Sequence, residues 1–103
     1  MSCLNLKRLW GDKYLVQYEE NSDVRDPSYY MIPCQHGSIH PWGENELLAV
    51  YTGHVKHTKA LLREFIVLSE TKEKMKVIFP PGAFDEVAGL LLPERRASLV
   101  RRG

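Results

Sequence analysis

Hydrophobic and polar positions alternate with a period of two along several short stretches of the chain, a pattern typical of β-strands that bury one face. The predicted strands cover residues 13–20, 29–35, 38–40, 47–52, 66–69 and 75–79. Pro33 places the second of them at an edge or a bulge, because proline has no backbone N–H to donate to a neighbouring strand. The pattern therefore predicts a sheet of short strands.

Two other stretches repeat their apolar residues at helical spacing. The first begins near Val55, with Thr52 as its expected N-cap. Its predicted inner face consists of Val55, Thr58, Leu61, Leu62 and Phe65, with Lys56, Lys59 and Arg63 opposite. The second has a buried stripe of Phe84, Val87, Ala88 and Leu91 and ends before Pro93. Each helix has one apolar face and needs a sheet to cover.

The order of these elements predicts an α+β fold: a mostly antiparallel sheet of about five strands with two helices packed on one face. From residue 47 to 92 the order is strand–helix–strand–strand–helix, which is five of the six elements of a ferredoxin-like unit. That likeness concerns order alone and indicates no function. We expect one domain over residues 1–103, with residues 94–103 as a basic, frayed tail.

Composition narrows the class of protein. The chain has 103 residues, of which 44% are hydrophobic, enough for one core and too few for two ordinary domains. No apolar run approaches the ~18 residues that cross a bilayer, and the first residues lack the apolar region of a signal peptide. Two cysteines are too few for a disulfide scaffold. We therefore expect a cytoplasmic protein with free thiols that does not bind membranes.

One cysteine and all four histidines of the chain lie between residues 34 and 57. Thiolate and imidazole are ligands that Zn²⁺ selects. The candidate ligands are Cys34, His36, His40, His54 and His57. In an extended strand Cys34, His36 and His40 point to one side, yet no recognised zinc spacing is present. Zinc binding is therefore an alternative hypothesis, beside scattered structural or surface histidines.

Cys34 is also a candidate nucleophile, since a neighbouring imidazole lowers the pKa of a thiol. His36 lies two residues away on the predicted strand, about 6–7 Å, which is too far for a direct hydrogen bond. The sequence identifies neither an orienting carboxamide or carboxylate nor an oxyanion donor. We therefore predict no enzyme activity and keep a thiol-dependent reaction at Cys34 as an alternative.

Aromatic side chains gather around a Gly- and Pro-rich bend between residues 29 and 43. Tyrosine and tryptophan are enriched in protein interfaces, and aromatic rings can also stack on unpaired bases. No Lys or Arg occurs between Met31 and Tyr51, which disfavours bases. We predict a partner-binding region formed by Tyr29, Tyr30, Cys34, His36, His40 and Trp42.

The basic C-terminal residues are the charge feature that favours nucleic-acid binding. The net charge of the whole chain is +1, without the basic excess typical of a nucleic-acid-binding domain. The last ten residues nevertheless contain Arg95, Arg96, Arg101 and Arg102. A nucleic-acid accessory role for this tail is a further alternative, and a solvated chain end is the simpler interpretation.

Two segments carry a resemblance to known sequences. Residues 32–43, Ile-Pro-Cys-Gln-His-Gly-Ser-Ile-His-Pro-Trp-Gly, resemble a Cys-x-His-Gly-x-Ile-x-Pro-x-Gly signature of a bacterial protein family without an established activity. Residues 77–79, 84–88 and 93–96 resemble the C-terminal half of the same group. The resemblance implies a bacterial type of cytoplasmic protein and no mechanism.

Together these observations favour a small non-enzymatic binding module. We expect it to contact a protein partner, or a second copy of itself as a homo-oligomer, through the aromatic loop and a sheet edge.

Overall fold

The computed structural model describes residues 5–18 and 30–95. In chain order the elements are α1 (Leu6–Trp10), β1 (Gln17–Tyr18), β2 (Tyr30–Cys34), β3 (Gly37–Trp42), β4 (Glu46–Thr52), α2 (Lys56–Leu62), β5 (Ile66–Glu70), β6 (Lys74–Phe79), a 3₁₀ turn (Pro81–Ala83) and α3 (Phe84–Leu91).

The strands form a single sheet in the order β1-β2-β3-β4-β6-β5, and every neighbouring pair is antiparallel. Five strands have five to seven residues, and the sixth, β1, has two within the described part of the chain, which stops at its second residue. The predicted α+β fold with a mostly antiparallel sheet is confirmed.

The second half of the chain has the strand arrangement of a ferredoxin-like unit. Strands β4 and β5 both pair antiparallel with β6, which lies between them. They therefore run parallel to each other, and α2 makes the crossover between them, as a β-α-β connection requires. Strand β3 occupies the other side of β4.

Alternation along the strands separates the two faces of the sheet. Ile32, Ile39, Ala49 and Val77 lie opposite one another on four neighbouring strands. All four are fully buried and belong to the hydrophobic core. The same core contains Leu6 of α1, Leu62 of α2 and the inner face of α3, formed by Phe84, Val87, Ala88 and Leu91. The helices therefore cover this face.

The segment after α3 returns to the sheet beside the β2–β3 turn. Leu92 adopts a left-handed conformation with φ of 60° and ends the helix. The amides of Gln35 and His36 then donate to the carbonyl oxygens of Leu92 and Leu91, at 2.8 and 3.0 Å. Pro93 forms an isolated bridge with Cys34. A turn of the sheet thus satisfies the carbonyl oxygens of Leu91, the last residue of α3, and of its C-cap Leu92.

Two local predictions were wrong. Residues 13–18 of the predicted strand 13–20 are described, and of these only Gln17–Tyr18 form a strand, whereas Tyr14 makes an isolated bridge with Arg95. Thr52 remains in β4, and the N-cap of α2 is Val55, whose side chain makes no capping hydrogen bond.

The buried face of α2 also differs from the prediction. Lys59, expected on the outer face, is 8% exposed, whereas Val55, expected inside, is 56% exposed. Helix α2 starts one residue later than expected, at Lys56, and the Lys59 ammonium is satisfied by carbonyl oxygens. No helix among residues 5–18 and 30–95 has the length and apolar character to span a membrane.

Candidate functional site

The side of the sheet opposite the helices carries an apolar row across four strands. Ile66, Ile78, Leu48 and His40 lie opposite one another on β5, β6, β4 and β3. Ile78 points away from the helices, yet it is only 7% exposed, and Leu48 and His40 beside it are half-buried. Ile66, at the end of the same row, is 60% exposed. We call this side the open face.

Trp42 extends the open face at one end. It lies two residues after His40 on β3 and is therefore on the same side of the sheet. Its indole is 42% exposed, and Glu46 lies directly opposite it on β4. A large exposed aromatic side chain next to an apolar row is typical of a protein-binding surface.

The charged residues of the open face stand at opposite ends. Glu46 is at the end marked by Trp42, two residues before Leu48. Lys76 is opposite Val50 and Lys74 opposite Thr52, both beyond the apolar row in the other direction. One end is therefore acidic and the other basic, with apolar side chains between them.

Strand β5 forms one edge of the sheet, with β6 as its neighbour. All five of its residues are exposed, including the consecutive Ile66, Val67 and Leu68. The register with β6 shifts between Val67 and Ser69, so Leu68 is an inserted residue. Such a bulge interrupts the regular spacing of backbone donors and acceptors, which discourages a further strand from pairing with this edge.

The thiol of Cys34 lies on the helix-covered side. Cys34 is two residues after the buried Ile32 and packs against the core, and its Sγ is 3.5 Å from the carbonyl oxygen of Ile32. Burial, and next the negative charge of Glu94, raise the pKa of this thiol to about 12. Such a thiol stays protonated near neutral pH, the opposite of the thiolate that a nucleophilic reaction uses.

The candidate metal ligands are distributed over several surfaces. His40 shares the open face with Ser38, whose Oγ is 2.7 Å from Nε2 of His40, and both face away from Cys34. His36 is exposed in the β2–β3 turn. His54 is exposed just before α2, and His57 is exposed in its first turn. Among the described residues, no three His, Cys, Asp or Glu side chains form a group that could hold a metal ion. Zinc binding stays a prediction.

The predicted aromatic region divides between the two faces. Tyr30 packs against the core on the helix-covered side, whereas Trp42 is on the open face. Tyr29 lies outside the described residues. Of the predicted partner-binding residues, His40 and Trp42 are therefore on the open face, His36 is at the turn, and Cys34 and Tyr30 face the helices.

Only the first arginine of the basic tail falls within the described residues. Arg95 is exposed, with its guanidinium carbon 5.9 Å from the ring centre of Tyr14. Arg96, Arg101 and Arg102 lie outside the described residues, so a nucleic-acid role for the tail stays a prediction.

A concave surface that the sequence did not indicate lies between α2 and the β5–β6 turn. It is a cleft of about 690 Å³ lined by His54, Lys56, Lys59, Arg63, Glu70, Thr71 and Lys72. The buried ammonium of Lys59 donates to the carbonyl oxygens of Thr71 and Lys72, at 3.3 and 2.9 Å. The sequence feature that corresponds to this cleft is the set of three cations, Lys56, Lys59 and Arg63, whose helical spacing predicts an outer, solvated face.

Comparison with protein-family models, with curated proteins and with solved structures finds no match for this chain. The resemblance of residues 32–43 to a bacterial signature therefore stays a prediction.

Proposed function

We propose that this domain is a non-enzymatic binding module that associates with a second copy of itself through the open face. The observation that carries the proposal is the row Ile66–Ile78–Leu48–His40 with Trp42 beside it, on the side of the sheet away from the helices. Ile66 and Trp42 are the exposed side chains of this set, and exposed large apolar side chains flanked by polar residues mark association sites on small domains.

A second copy is the partner that fits the charges. The two copies can be related by a two-fold axis that lies between their sheets, parallel to the sheets and perpendicular to the strands. This axis places the row of one copy opposite the same row of the other, with the strands of the two copies running in opposite directions. Glu46 of one molecule then lies across from Lys76 of the other, about one strand spacing away, and the contact occurs twice. Packing sheets in this way produces a β-sandwich interface.

The dimensions of the face are consistent with a dimer. The five longer strands, about 4.8 Å apart and five to seven residues long, give roughly 400–570 Å² in projection. An area of this size corresponds to a small interface, below the ~800 Å² per partner of a standard one. The edge strand contributes through the side chain of Ile66, since the bulge at Leu68 makes backbone pairing unfavourable.

The first test is sedimentation equilibrium of the protein between about 1 and 500 µM. The unmodified chain should form dimers, and Ile66→Lys should weaken association at least tenfold because it places an ammonium within the apolar row. Val55→Lys is the matched control, since Val55 is similarly exposed, at 56% against 60%, but lies next to α2. A protein that is monomeric throughout, or two variants that behave alike, would contradict the proposal.

The second test examines the orientation of the two copies. Glu46→Lys and Lys76→Glu should each weaken the dimer by placing like charges across from each other, and the double variant should restore it. If Ile66→Lys disrupts the dimer but the double variant does not recover, the open face is the interface and the two-fold arrangement is wrong.

A further inference from the structure

The cleft between α2 and the β5–β6 turn concentrates positive charge. Its lining has four cationic side chains, Lys56, Lys59, Arg63 and Lys72, and one carboxylate, Glu70. This local excess of three positive charges contrasts with a net charge of +1 for the whole chain. The cleft is therefore the natural place for an anion on this part of the molecule.

The floor of the cleft is a buried ammonium group. More than nine-tenths of Lys59 is buried, and its Nζ is held by two carbonyl oxygens of the turn, which carry no net charge. Desolvation of an ammonium is unfavourable unless opposite charge lies nearby. Glu70 already places one negative charge near Lys59, and further negative charge bound in the cleft would offset the rest of that cost.

The only carboxylate of the lining is already engaged. Nε and a terminal nitrogen of Arg63 both donate to the two oxygens of Glu70, the first at 3.1 Å. In this bidentate pair Arg63 neutralises the charge of Glu70, and the two side chains fix one wall of the cleft. Within the described chain, no acidic side chain forms an ion pair with Lys56 or Lys72, whose ammonium groups can therefore turn towards a ligand.

From this arrangement we infer that the cleft binds a small phosphorylated molecule. A phosphate monoester carries close to two negative charges at neutral pH and accepts several hydrogen bonds, which matches the two exposed ammonium groups of Lys56 and Lys72 beside the buried one of Lys59. A single carboxylate would leave most of the excess charge uncompensated. The volume of about 690 Å³ is within the range of small-molecule sites. The cleft is separate from the open face, so this inference does not depend on self-association.

Pyrophosphate is the probe, titrated into ¹⁵N-labelled protein in low salt and followed by amide chemical shifts. We expect saturable changes confined to residues around α2 and the β5–β6 turn. The double variant Lys56→Ala/Lys72→Ala should weaken binding at least tenfold. Lys59 is left intact because it supports the turn, so loss of binding cannot arise from a disrupted fold.

The matched control is Lys7→Ala/Lys13→Ala, which removes the same two charges from exposed positions away from the cleft. It should bind pyrophosphate within about twofold of the unmodified chain. The inference is wrong if shifts do not saturate by about 10 mM or if both double variants weaken binding equally. Tighter binding of a single-stranded RNA through the same two lysines would also overturn it, by assigning the cleft to nucleic acid.

Discussion

The backbone N–H of His36 donates a 3.0 Å hydrogen bond to the carbonyl oxygen of Leu91, which joins the β2–β3 turn to the end of α3. The carbonyl oxygen of His36 in turn accepts from the amide of Thr52 at 2.9 Å. His36 thus connects the sheet to α3. The conformation of its turn depends on the next residue, Gly37.

Replacement of Gly37 by alanine should destabilise the protein by about 3 kcal/mol or more. Gly37 has φ of 140°, and an added Cβ would overlap the carbonyl oxygen of Val50 on β4. Denaturation by urea measures the loss. Gly89→Ala is the control: it lies in α3 with nothing near its Cβ, so it should stabilise by about 0.5–1 kcal/mol. Equal effects at the two positions would contradict this account of the turn.

Cys34 should make the protein sensitive to alkali. Its thiol has a pKa of about 12 in the folded state against an ordinary value of 9.0, so the folded state retains the proton over an interval in which the unfolded state loses it. Stability is therefore unaffected below about pH 9 and falls as the pH rises from there towards 12, by about 1 kcal/mol near pH 10.

The measurement is urea denaturation at pH 7.5 and pH 10 of the protein and of Cys34→Ala, both carrying Cys3→Ser. The difference between the two proteins removes the contribution of tyrosines and lysines. A thiol that reacts rapidly with iodoacetamide at pH 7.5, or a pH dependence unchanged by Cys34→Ala, would show that the thiol is not buried as described.

The pKa of Glu70 should depend on Arg63. The hydrogen bonds from Arg63 lower the pKa of this exposed carboxyl below its ordinary value of 4.5, so the interaction is complete above that pH and is lost as the pH falls further. Titration of the carboxyl carbon by NMR should show the pKa of Glu70 rising towards 4.5 in Arg63→Gln and rising less in Arg63→Lys. An unchanged pKa in Arg63→Gln would exclude this pair in solution.

Lys59→Met should destabilise the protein by about 1–2 kcal/mol, because the carbonyl oxygens of Thr71 and Lys72 lose their common donor. Methionine keeps the apolar stem and isolates the effect of the ammonium group. Lys56→Met, on the exposed side of the same helix, should change stability by less than about 0.5 kcal/mol. Similar values for both variants would mean that Lys59 does not hold the turn.

Much of the fold could be predicted from local patterns. The strands of the second half and α3 have a single apolar period each, and their predicted positions agree with the structure within about one or two residues. The strand 13–20 could not be predicted correctly, because a bridge from Tyr14 to the distant Arg95 replaces local pairing. Long-range partners of this kind leave no periodic signal.

The candidate site was harder to predict for a related reason. The prediction that Cys34 and His40 point to one side was wrong, because the β2–β3 turn at residues 35–36 interrupts the alternation and leaves them on opposite sides of the sheet. The row that His40 joins includes Ile78 and Ile66, which are distant in sequence. Likewise, Lys59 looked like a surface residue by helical spacing, and only the carbonyl oxygens of a turn twelve residues later explain its burial. Charge and polarity predict exposure only where no such partner is available.

If the protein self-associates as proposed, the residue inserted at Leu68 limits the size of the assembly. If β5 were regular, each dimer would offer two free edges onto which further copies could add, and the product would be an open-ended filament. The irregular edge disfavours that growth, and the open face cannot contact a third copy once it is covered by a second one. Removal of Leu68 from the strand should therefore turn a finite particle into a polymer that scatters light.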